Sequence, residues 1–519
     1  MRLNPGRTLM KFDRQLPVYN WLYPLKGQDT DRLSLHAAHA RLDVSEIRTR
    51  AFYIHIPFCE TICTFCSLNR GLGAEGDEAV ERYVQALIKE FYIKAQIPAV
   101  TAVPPRVIWF GGGTPSILTP EQIRRVGRAL HDCFDLSRVE EWTIEFEVKS
   151  LTREKCEAFR EIGVNKSRFG LQTFNPKYRE LFNITATLDQ TYAAPELLGE
   201  YFDWRSFDIL YGMHGQTVTE FAEDIQKAID LGTETCEFYP VNHLVTTNAL
   251  HKGYSNARLK PLSYVDRMGL TVFLDHYMRS SGFKLYNGHG YVRLPDPEKE
   301  TNFVSSRYSN AYHEYCWAHW DDDLVGFGSS AVTQTGPWTV MNDETRTGYV
   351  KSIESDGTIK VKVTEADGVP YERGLVLGLP YHGKVKKERV PFDRISTEVL
   401  AKLDELIAEG MIVERDDEYA VTEIGWTWYV DMMYYLSPVA DQKILDDFVA
   451  QRSKNPALTD GDRSMIPVRE AGPRAKRPLI PIQPLQNGKS ARSGGCGSAC
   501  GAAGPEPLAV AGAPAGTSS

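Results

Sequence analysis

The sequence predicts an α/β fold: a partial (β/α)6 barrel of the TIM type, followed by a smaller α+β domain that resembles a winged helix. Strand-like and helix-like segments alternate six times between residues 51 and 281, which implies parallel strands joined by crossover helices. No dinucleotide-binding fingerprint accompanies these units, which favours a partly open barrel over a doubly wound sheet. After about residue 340 this alternation ends.

The predicted strands are short segments rich in β-branched and aromatic residues. Segment 51–58 is stopped by Pro57 and has the composition of a buried strand. The first helix is amphipathic, because apolar residues from Val80 to Phe91 recur at helical spacing. Further strands are predicted at 106–110, 142–148, 166–172, 207–210 and 236–241, and further helices near 120–134, 152–162, 190–201, 217–231 and 264–281.

Changes in composition divide the chain into four predicted parts. A β-rich patch at 348–378 precedes a helix at 400–409, a hairpin at 410–422 and a helix from Gly425, an order typical of a winged helix. Pro, Gly, Ala, Ser and basic residues then dominate, which predicts disorder. The predicted parts are an N-terminal extension (1–50), the barrel (51–340), a C-terminal domain (341–450) and a disordered tail (451–519).

The composition argues against nucleic acid and membranes as partners. The 519 residues carry a formal net charge of −9, so the surface as a whole does not favour polyanions. No run approaches the roughly 18 apolar residues that a membrane span needs. The basic N-terminus has no apolar stretch behind it and is not a secretory signal, so we expect a cytoplasmic protein.

Three of the nine cysteines, Cys59, Cys63 and Cys66, form one compact cluster. Soft thiolates select zinc or iron–sulfur clusters. A cubane cluster takes four ligands, so three cysteines would leave one iron open to an outside molecule. The alternative is a structural zinc site with His55 or a distant side chain as the fourth ligand. The tail pair Cys496 and Cys500 has Gly-rich flanks and is expected to be uncommitted.

The residues around this cluster carry a specific resemblance. The string Tyr-x-His-Ile-Pro-Phe-Cys-x-x-x-Cys-x-Phe-Cys at 53–66 resembles the cluster motif of radical S-adenosylmethionine (SAM) enzymes of the oxygen-independent coproporphyrinogen III oxidase-like branch. That branch includes a heme chaperone, heme-degrading enzymes and class C radical SAM methyltransferases. The resemblance runs from about residue 51 to 436. It implies a radical SAM barrel, a 4Fe-4S cluster on the three cysteines, one or two molecules of SAM, and Tyr53 and Phe65 beside the cofactor.

Four later motifs resemble the SAM-binding segments of the same branch. Their implied cofactor-binding residues are Gly112, Gly113 and Thr114 near the methionine amino group, then Glu147, Gln172 and, at a ribose hydroxyl, Asp208. The chain also departs from the oxidase pattern. Lys149 and Ser150 replace an Asp or Asn followed by Pro, and Ile184 stands where the oxidase has an Arg that contacts SAM.

Tyr211 and His214 are the candidate catalytic residues. Both lie in the segment Tyr-Gly-Met-His-Gly-Gln-Thr at 211–217, at the active end of a predicted strand, and His214 stands where relatives have Pro. A side chain with a pKa near ~6.5 suits a base, although a lone His is more often packed or solvated.

The expected chemistry follows from the resemblance. A class C enzyme would methylate or cyclopropanate an sp2 carbon of an aromatic or heterocyclic small molecule, with a second SAM as the methyl source. The first alternative is coproporphyrinogen III oxidation or another tetrapyrrole modification. The others are heme delivery without turnover, for which the aromatic segment 312–317 is a poor match, and a zinc-stabilised binding protein. The expected partners are a small-molecule substrate (aromatic, heterocyclic or tetrapyrrole) and an electron donor such as flavodoxin or ferredoxin.

Overall fold

Among the residues that the structure describes, a 14-stranded sheet forms the centre of the fold, and its middle seven strands run parallel. These are β1 (Thr49–Ile56), β2 (Val107–Gly112), β3 (Glu141–Phe146), β4 (Lys166–Gln172), β5 (Trp204–Tyr211), β6 (Thr235–Pro240) and β7 (Asp322–Phe327). The computed structural model describes residues 1–17, 21, 23–25, 27–29, 32–293, 319–355, 360–459 and 462.

The parallel strands lie side by side in the order β7-β1-β2-β3-β4-β5-β6. The barrel stays open, because each outer strand pairs with an antiparallel neighbour: β6 with Gly290–Arg293 and β7 with Val332–Thr335. The six strands predicted from the sequence are therefore confirmed in type and order, and β7 adds a seventh on the far side of β1.

Helices between the strands cover the sheet. They are α1 (Glu78–Ala95), α2 (Pro120–Cys133), α3 (Arg153–Ile162), α4 (Leu188–Gly199), α5 (Val218–Asp230) and α6 (Tyr264–Ser280). Their starts are encoded locally, since α2, α4, α5 and α6 each begin with a capping box in which a Thr or Ser side chain accepts from the backbone N–H three residues on.

Short elements complete the described chain. The other strands are Gln28–Asp29, Leu33–Ser34, Phe58–Cys59, Gly71–Leu72, Phe283–Leu285, Gly290–Arg293, Val332–Thr335, Trp338–Met341, Lys360–Glu365, Lys384–Lys386, Ile412–Glu414 and Glu418–Val421. The other α-helices are Leu35–His39, Pro98–Thr101, Pro176–Leu181, Asn248–Asn256, Arg346–Glu354, Leu379–His382, Thr397–Ala408, Glu423–Thr427, Tyr429–Leu436 and Val439–Arg452.

The region after residue 340 is an α+β region, as predicted, but part of its interpretation was wrong. The patch 348–378 is not all strand: Arg346–Glu354 is a helix, because the Thr345 hydroxyl accepts from the Gly348 N–H and caps it. Helix Thr397–Ala408 and the hairpin Ile412–Glu414 with Glu418–Val421 follow as expected.

Some predictions fall outside the described residues: the aromatic segment 312–317, the tail thiols Cys496 and Cys500, and nearly all of the predicted tail. Within the described ranges, no helix has both the length and the apolar composition needed to cross a bilayer.

Candidate active site

The predicted site residues gather at one edge of the sheet. Parallel strands place their carboxyl ends together, and ligands bind at that edge in open α/β sheets and in barrels. The cysteine loop follows β1, the glycine loop follows β2, Glu147 follows β3, Gln172 ends β4, and Tyr211 ends β5. Strand topology therefore brings together segments that are far apart in the sequence.

The cysteine loop is fastened to neighbouring backbone on several sides. The Thr64 hydroxyl donates to the Leu181 carbonyl (2.7 Å), and the Asn183 amide donates to the Ile62 carbonyl (3.0 Å). The ring of Phe65 packs edge-on against Phe182, with centroids 5.0 Å apart. The loop is thus held by the short helix Pro176–Leu181 and the turn after it.

The three thiols lie in a setting that suits a cationic cluster. Burial and mutual repulsion raise the pKa of Cys63 to about 12, and burial also raises the pKa of Cys59 and Cys66. Three neighbouring thiols therefore need a bound metal in order to lose their protons. The three cysteine Sγ atoms do not all lie within 4.8 Å of one another. The loop is thus more open than a site for one zinc ion, whose thiolate bonds are about 2.3 Å long.

His55 has no ring nitrogen left for a metal. Its Nε2 donates to the Asn69 carbonyl (2.9 Å), so its Nδ1 accepts from the Tyr53 hydroxyl (3.0 Å). The zinc alternative therefore loses the nearby fourth ligand on which it depended. The Tyr53 hydroxyl holds the His55 ring in place through this hydrogen bond, and the predicted contact of Tyr53 with the cofactor stays a prediction.

The glycine loop packs directly on the cysteine loop. The N–H groups of Gly113 and Thr114 donate to the carbonyls of Ile56 (2.8 Å) and Phe58 (2.7 Å). A Cβ on Gly113 would lie 2.6–2.8 Å from those backbone atoms, so only Gly fits. The Thr114 hydroxyl hydrogen-bonds the Cys59 sulfur. Because the N–H groups of Gly113 and Thr114 already donate within the protein, this part of the loop presents hydrogen-bond acceptors to a ligand, and acceptors suit an ammonium group.

Glu147 meets the requirement for a cofactor ligand. Its Oε2 is buried and accepts no hydrogen bond from any described residue. Burial raises the pKa of this carboxyl, and Lys149 lowers it again in part. Lys149 itself pairs with Glu60 of the cysteine loop at 2.7 Å. A buried acceptor without a donor fits the amino group of SAM.

Gln172 and Asp208 show two different kinds of constraint. Gln172 has a φ of +72°, which is sparsely populated for residues other than Gly and is a form of strain found at functional sites. Asp208 accepts from Arg168, which also donates to the buried Glu237 (2.6 Å) and to the Tyr239 hydroxyl (2.7 Å). Burial raises the pKa of Asp208 to about 7. Their contacts with SAM remain predictions.

A cleft opens at the ends of β5 and β6. Tyr211 lines it, with its hydroxyl 3.1 Å from Thr271 Oγ1, and burial raises the Tyr211 pKa to about 12. Arg267 supplies a positive charge. Asp431 accepts from the Leu16 N–H (2.7 Å), and burial raises its pKa well above the usual value.

His214 lies beside this cleft and is 2% exposed. Its Nε2 is 2.6 Å from Asp462 Oδ1, and the rings of His243 and Tyr254 pack against it at 4.5 and 4.2 Å. Sequence reasoning missed Asp462, His243, Arg267 and Asp431. His243 follows a predicted strand just as His214 does, and this was the one available signal.

Comparison with known proteins agrees with this geometry. A family model of the Radical SAM superfamily matches residues 53–228. Anaerobilin synthase of Escherichia coli O157:H7 is 28% identical over 396 residues, which are 75% of this chain and 84% of that protein. The heme chaperone HemW of Lactococcus lactis subsp. lactis is 31% identical over 385 residues, which are 72% of this chain and 93% of that protein.

A solved structure shares the fold. Coproporphyrinogen III oxidase (HemN) from Escherichia coli has a TM-score of 0.66 and 21% identity, and the match covers 80% of this chain and 96% of that one. Membership in such a family implies a 4Fe-4S cluster and SAM, and the loops after β1, β2 and β3 fit both. The chain belongs to the radical SAM superfamily, as a radical SAM enzyme of the coproporphyrinogen III oxidase-like branch.

Proposed function

We propose that this enzyme modifies a tetrapyrrole that binds in the cleft at the ends of β5 and β6. The lining of the cleft carries the proposal: aromatic rings of Tyr211, Trp426 and Tyr429 lie there beside Arg267, and such rings suit a flat, largely apolar ligand. Relatives named for a bilin, for heme and for coproporphyrinogen support the substrate class. This reaction was an alternative in the sequence analysis and now replaces methyl transfer as the leading hypothesis.

When bound, the cluster and SAM supply a 5'-deoxyadenosyl radical, which is the difficult part of the chemistry. Cys59, Cys63 and Cys66 hold the cluster, and Glu147 with the glycine loop holds the amino group of SAM. Two segments that are distant in the sequence, residues 15–17 and most of 426–431, line the cleft and would exclude water from a bound substrate.

Three polar groups in the cleft suit a substrate with carboxylates and pyrrole nitrogens. The Arg267 guanidinium would bind a carboxylate side chain. Burial raises the pKa of Asp431 well above its usual value, and its buried Oδ2, which has no hydrogen-bond partner among the described residues, would accept from a pyrrole N–H. The Tyr211 hydroxyl stays protonated for the same reason and would deliver or hold a proton at the substrate.

The test is anaerobic turnover with defined tetrapyrroles. Dithionite-reduced protein receives SAM with heme, with coproporphyrinogen III or with neither, and 5'-deoxyadenosine and the tetrapyrrole products are measured by mass spectrometry. We expect one tetrapyrrole to raise 5'-deoxyadenosine well above the control and to be consumed in proportion. If no tetrapyrrole changes the rate of SAM cleavage, the proposal is wrong.

Methyl-deuterated SAM in the same assay addresses the original expectation. Deuterium in 5'-deoxyadenosine would support a methyl-derived radical and class C chemistry, whereas unlabelled 5'-deoxyadenosine with turnover points to hydrogen taken from the substrate. Heme delivery without turnover is a second candidate, because the HemW relative is 31% identical. Heme that binds tightly and leaves unchanged, with no SAM consumed, would favour it.

Arg267→Met examines the cleft itself. We expect the variant to bind the tetrapyrrole about 10- to 100-fold more weakly, since a hydrogen bond to a charged group contributes about 1.5–3 kcal/mol. Binding of SAM should not change. Arg279→Met is the control, because Arg279 lies on the same helix and pairs with Asp275 (2.8 Å) outside the cleft lining.

A further inference from the structure

Three histidines and one aspartate form a buried cluster next to the cleft. His214 follows β5, His243 follows β6, His251 lies in the helix Asn248–Asn256, and Asp462 comes from the C-terminal segment. The four residues are between 2% and 4% exposed. They are distinct from the cysteine loop and take no part in the proposed radical chemistry.

The hydrogen bonds determine which nitrogen of two rings carries the proton. His243 Nε2 lies 3.1 Å from the Gly212 carbonyl, and His251 Nε2 lies 3.1 Å from the His243 carbonyl. A carbonyl only accepts, and the Thr246 hydroxyl, which also lies 3.1 Å from His251 Nε2, donates its own proton to the His243 carbonyl (3.2 Å), so both Nε2 atoms are donors. Each Nδ1 of these neutral rings is therefore unprotonated and carries a lone pair.

Both lone pairs face a carboxylate. His243 Nδ1 is 4.0 Å from Asp462 Oδ1, and His251 Nδ1 is 3.8 Å from Asp462 Oδ2. Both Nδ1 atoms are buried and have no hydrogen-bond partner among the residues the structure describes. Each buried, unsatisfied acceptor costs about 1–3 kcal/mol, and an anion opposite makes the arrangement worse. A cation between them would remove both penalties.

The arrangement is typical of metal ligands. Metal-bound histidines usually donate their other ring N–H to a carbonyl or carboxylate, as His243 and His251 do here. One ligand atom each from His214, His243 and Asp462 lies within 4.8 Å of the other two. Imidazole nitrogens with one carboxylate oxygen suit zinc and its neighbours in the first transition row.

We propose that His214, His243 and Asp462 bind one divalent transition-metal ion, with zinc the best match, and that His251, whose Nδ1 lies 3.8 Å from Asp462 Oδ2, completes the site as the fourth ligand. Four protein ligands make a closed, structural site. The ion would fasten the C-terminal segment at Asp462 to the ends of β5 and β6, where His243 and Asp462 also line the cleft. It would also occupy the lone pair of His214, which then cannot serve as the base predicted from the sequence.

Metal analysis of the intact protein tests this. Protein purified anaerobically with its cluster, from a zinc-supplemented culture, is analysed for zinc and iron and by zinc-edge X-ray absorption. We expect one zinc per chain beside the iron, with a first shell of nitrogen and oxygen at about 2.0–2.1 Å. A chain without zinc or another transition metal beyond cluster iron overturns the proposal, and so does sulfur in the zinc shell, which would place the ion on the cysteine loop.

Variants locate the ion. His251→Gln and Asp462→Asn should lower zinc to below about a tenth of the wild-type content, since each removes a ligand. His276→Gln, at an exposed position of α6, should keep it, and so should Cys63→Ser, which removes a cluster ligand. If the ligand variants do not fold, the wild-type measurement still decides. A protein that contains zinc but does not cleave SAM would refute the proposed function and leave the zinc site standing. A protein that cleaves SAM but contains no zinc would refute the zinc site and leave the proposed function standing.

Discussion

The two halves of the active edge are built in different ways. On the β1–β3 side, the proposed cluster ligands come from one eight-residue stretch, Cys59 to Cys66, and the glycine loop packs onto it through backbone hydrogen bonds. On the β5–β6 side, the polar cluster joins His214 to Asp462, which is 248 residues away. The first half is a local structure that a motif can encode, and the second exists only when the whole chain is folded.

The difference has consequences for stability and for activity. A change in the local half should remove the cofactor while leaving the barrel intact, because the cysteine loop lies outside the seven parallel strands. A change in the long-range half should act on the barrel or on the cleft while leaving the cluster in place. Four predictions test this division, from the largest expected effect to the smallest.

The largest effect is expected for Cys63→Ser. Loss of one proposed thiolate ligand should abolish cluster binding and bring SAM cleavage down to the uncatalysed level, because Cys59 and Cys66 alone would remain of the three. Iron content and 5'-deoxyadenosine production measure this, and the thermal midpoint should change little. Cys133→Ser, a partly buried thiol at the end of α2, is the matched control and should keep both. Full iron in the Cys63 variant would contradict the ligand assignment.

The same division explains how much could be predicted from the sequence. The strands and the cysteine loop depend on local periodicity and spacing, so β4 was predicted at its observed bounds, Lys166–Gln172. The prediction of a β-rich patch at 348–378 was wrong in its first part, because Thr345 caps a helix that begins at Arg346. Asp462 could not be foreseen, since no local pattern indicates that this segment returns to the ends of β5 and β6.

Arg168→Met tests the long-range half next. Arg168 is buried between Glu237 and Asp208, so its loss leaves two carboxylates without their cation. Breaking a buried ion pair on one side costs about 3–5 kcal/mol, and we expect the free energy of unfolding to fall by that amount. Arg160→Met is the control: its pair with Asp203 is 3.3 Å long and largely exposed, so the loss should stay below about 1 kcal/mol. Equal losses in the two variants would show that Arg168 contributes no more than a surface charge.

Gly113→Ala should have a smaller effect, confined to the local half. The added Cβ would meet backbone atoms at 2.6–2.8 Å, so the glycine loop and the cysteine loop must move apart. Overpacking of this kind costs about 1–3 kcal/mol, and we expect SAM to bind about 10-fold more weakly. Equilibrium binding of SAM to the cluster-loaded protein measures this. Gly269→Ala, where a Cβ meets nothing within 4 Å, should bind SAM like the wild type.

Asp224 connects the two halves and is expected to give the smallest effect. This side chain of α5 accepts from the Thr173 hydroxyl (2.6 Å) and the Phe174 N–H (2.9 Å), just after Gln172. Burial raises its pKa from 3.8 to about 6. Because the folded-state pKa is the higher one, folding favours the protonated form of Asp224, and that stabilisation is lost as the pH rises from about 4 through about 6.

Asp224→Asn cannot titrate, so its stability relative to the wild type should improve by about 1 kcal/mol between pH 5 and pH 7. Anaerobic thermal unfolding at both pH values measures the difference, and a difference that stays constant with pH would mean that Asp224 is solvated in the folded protein.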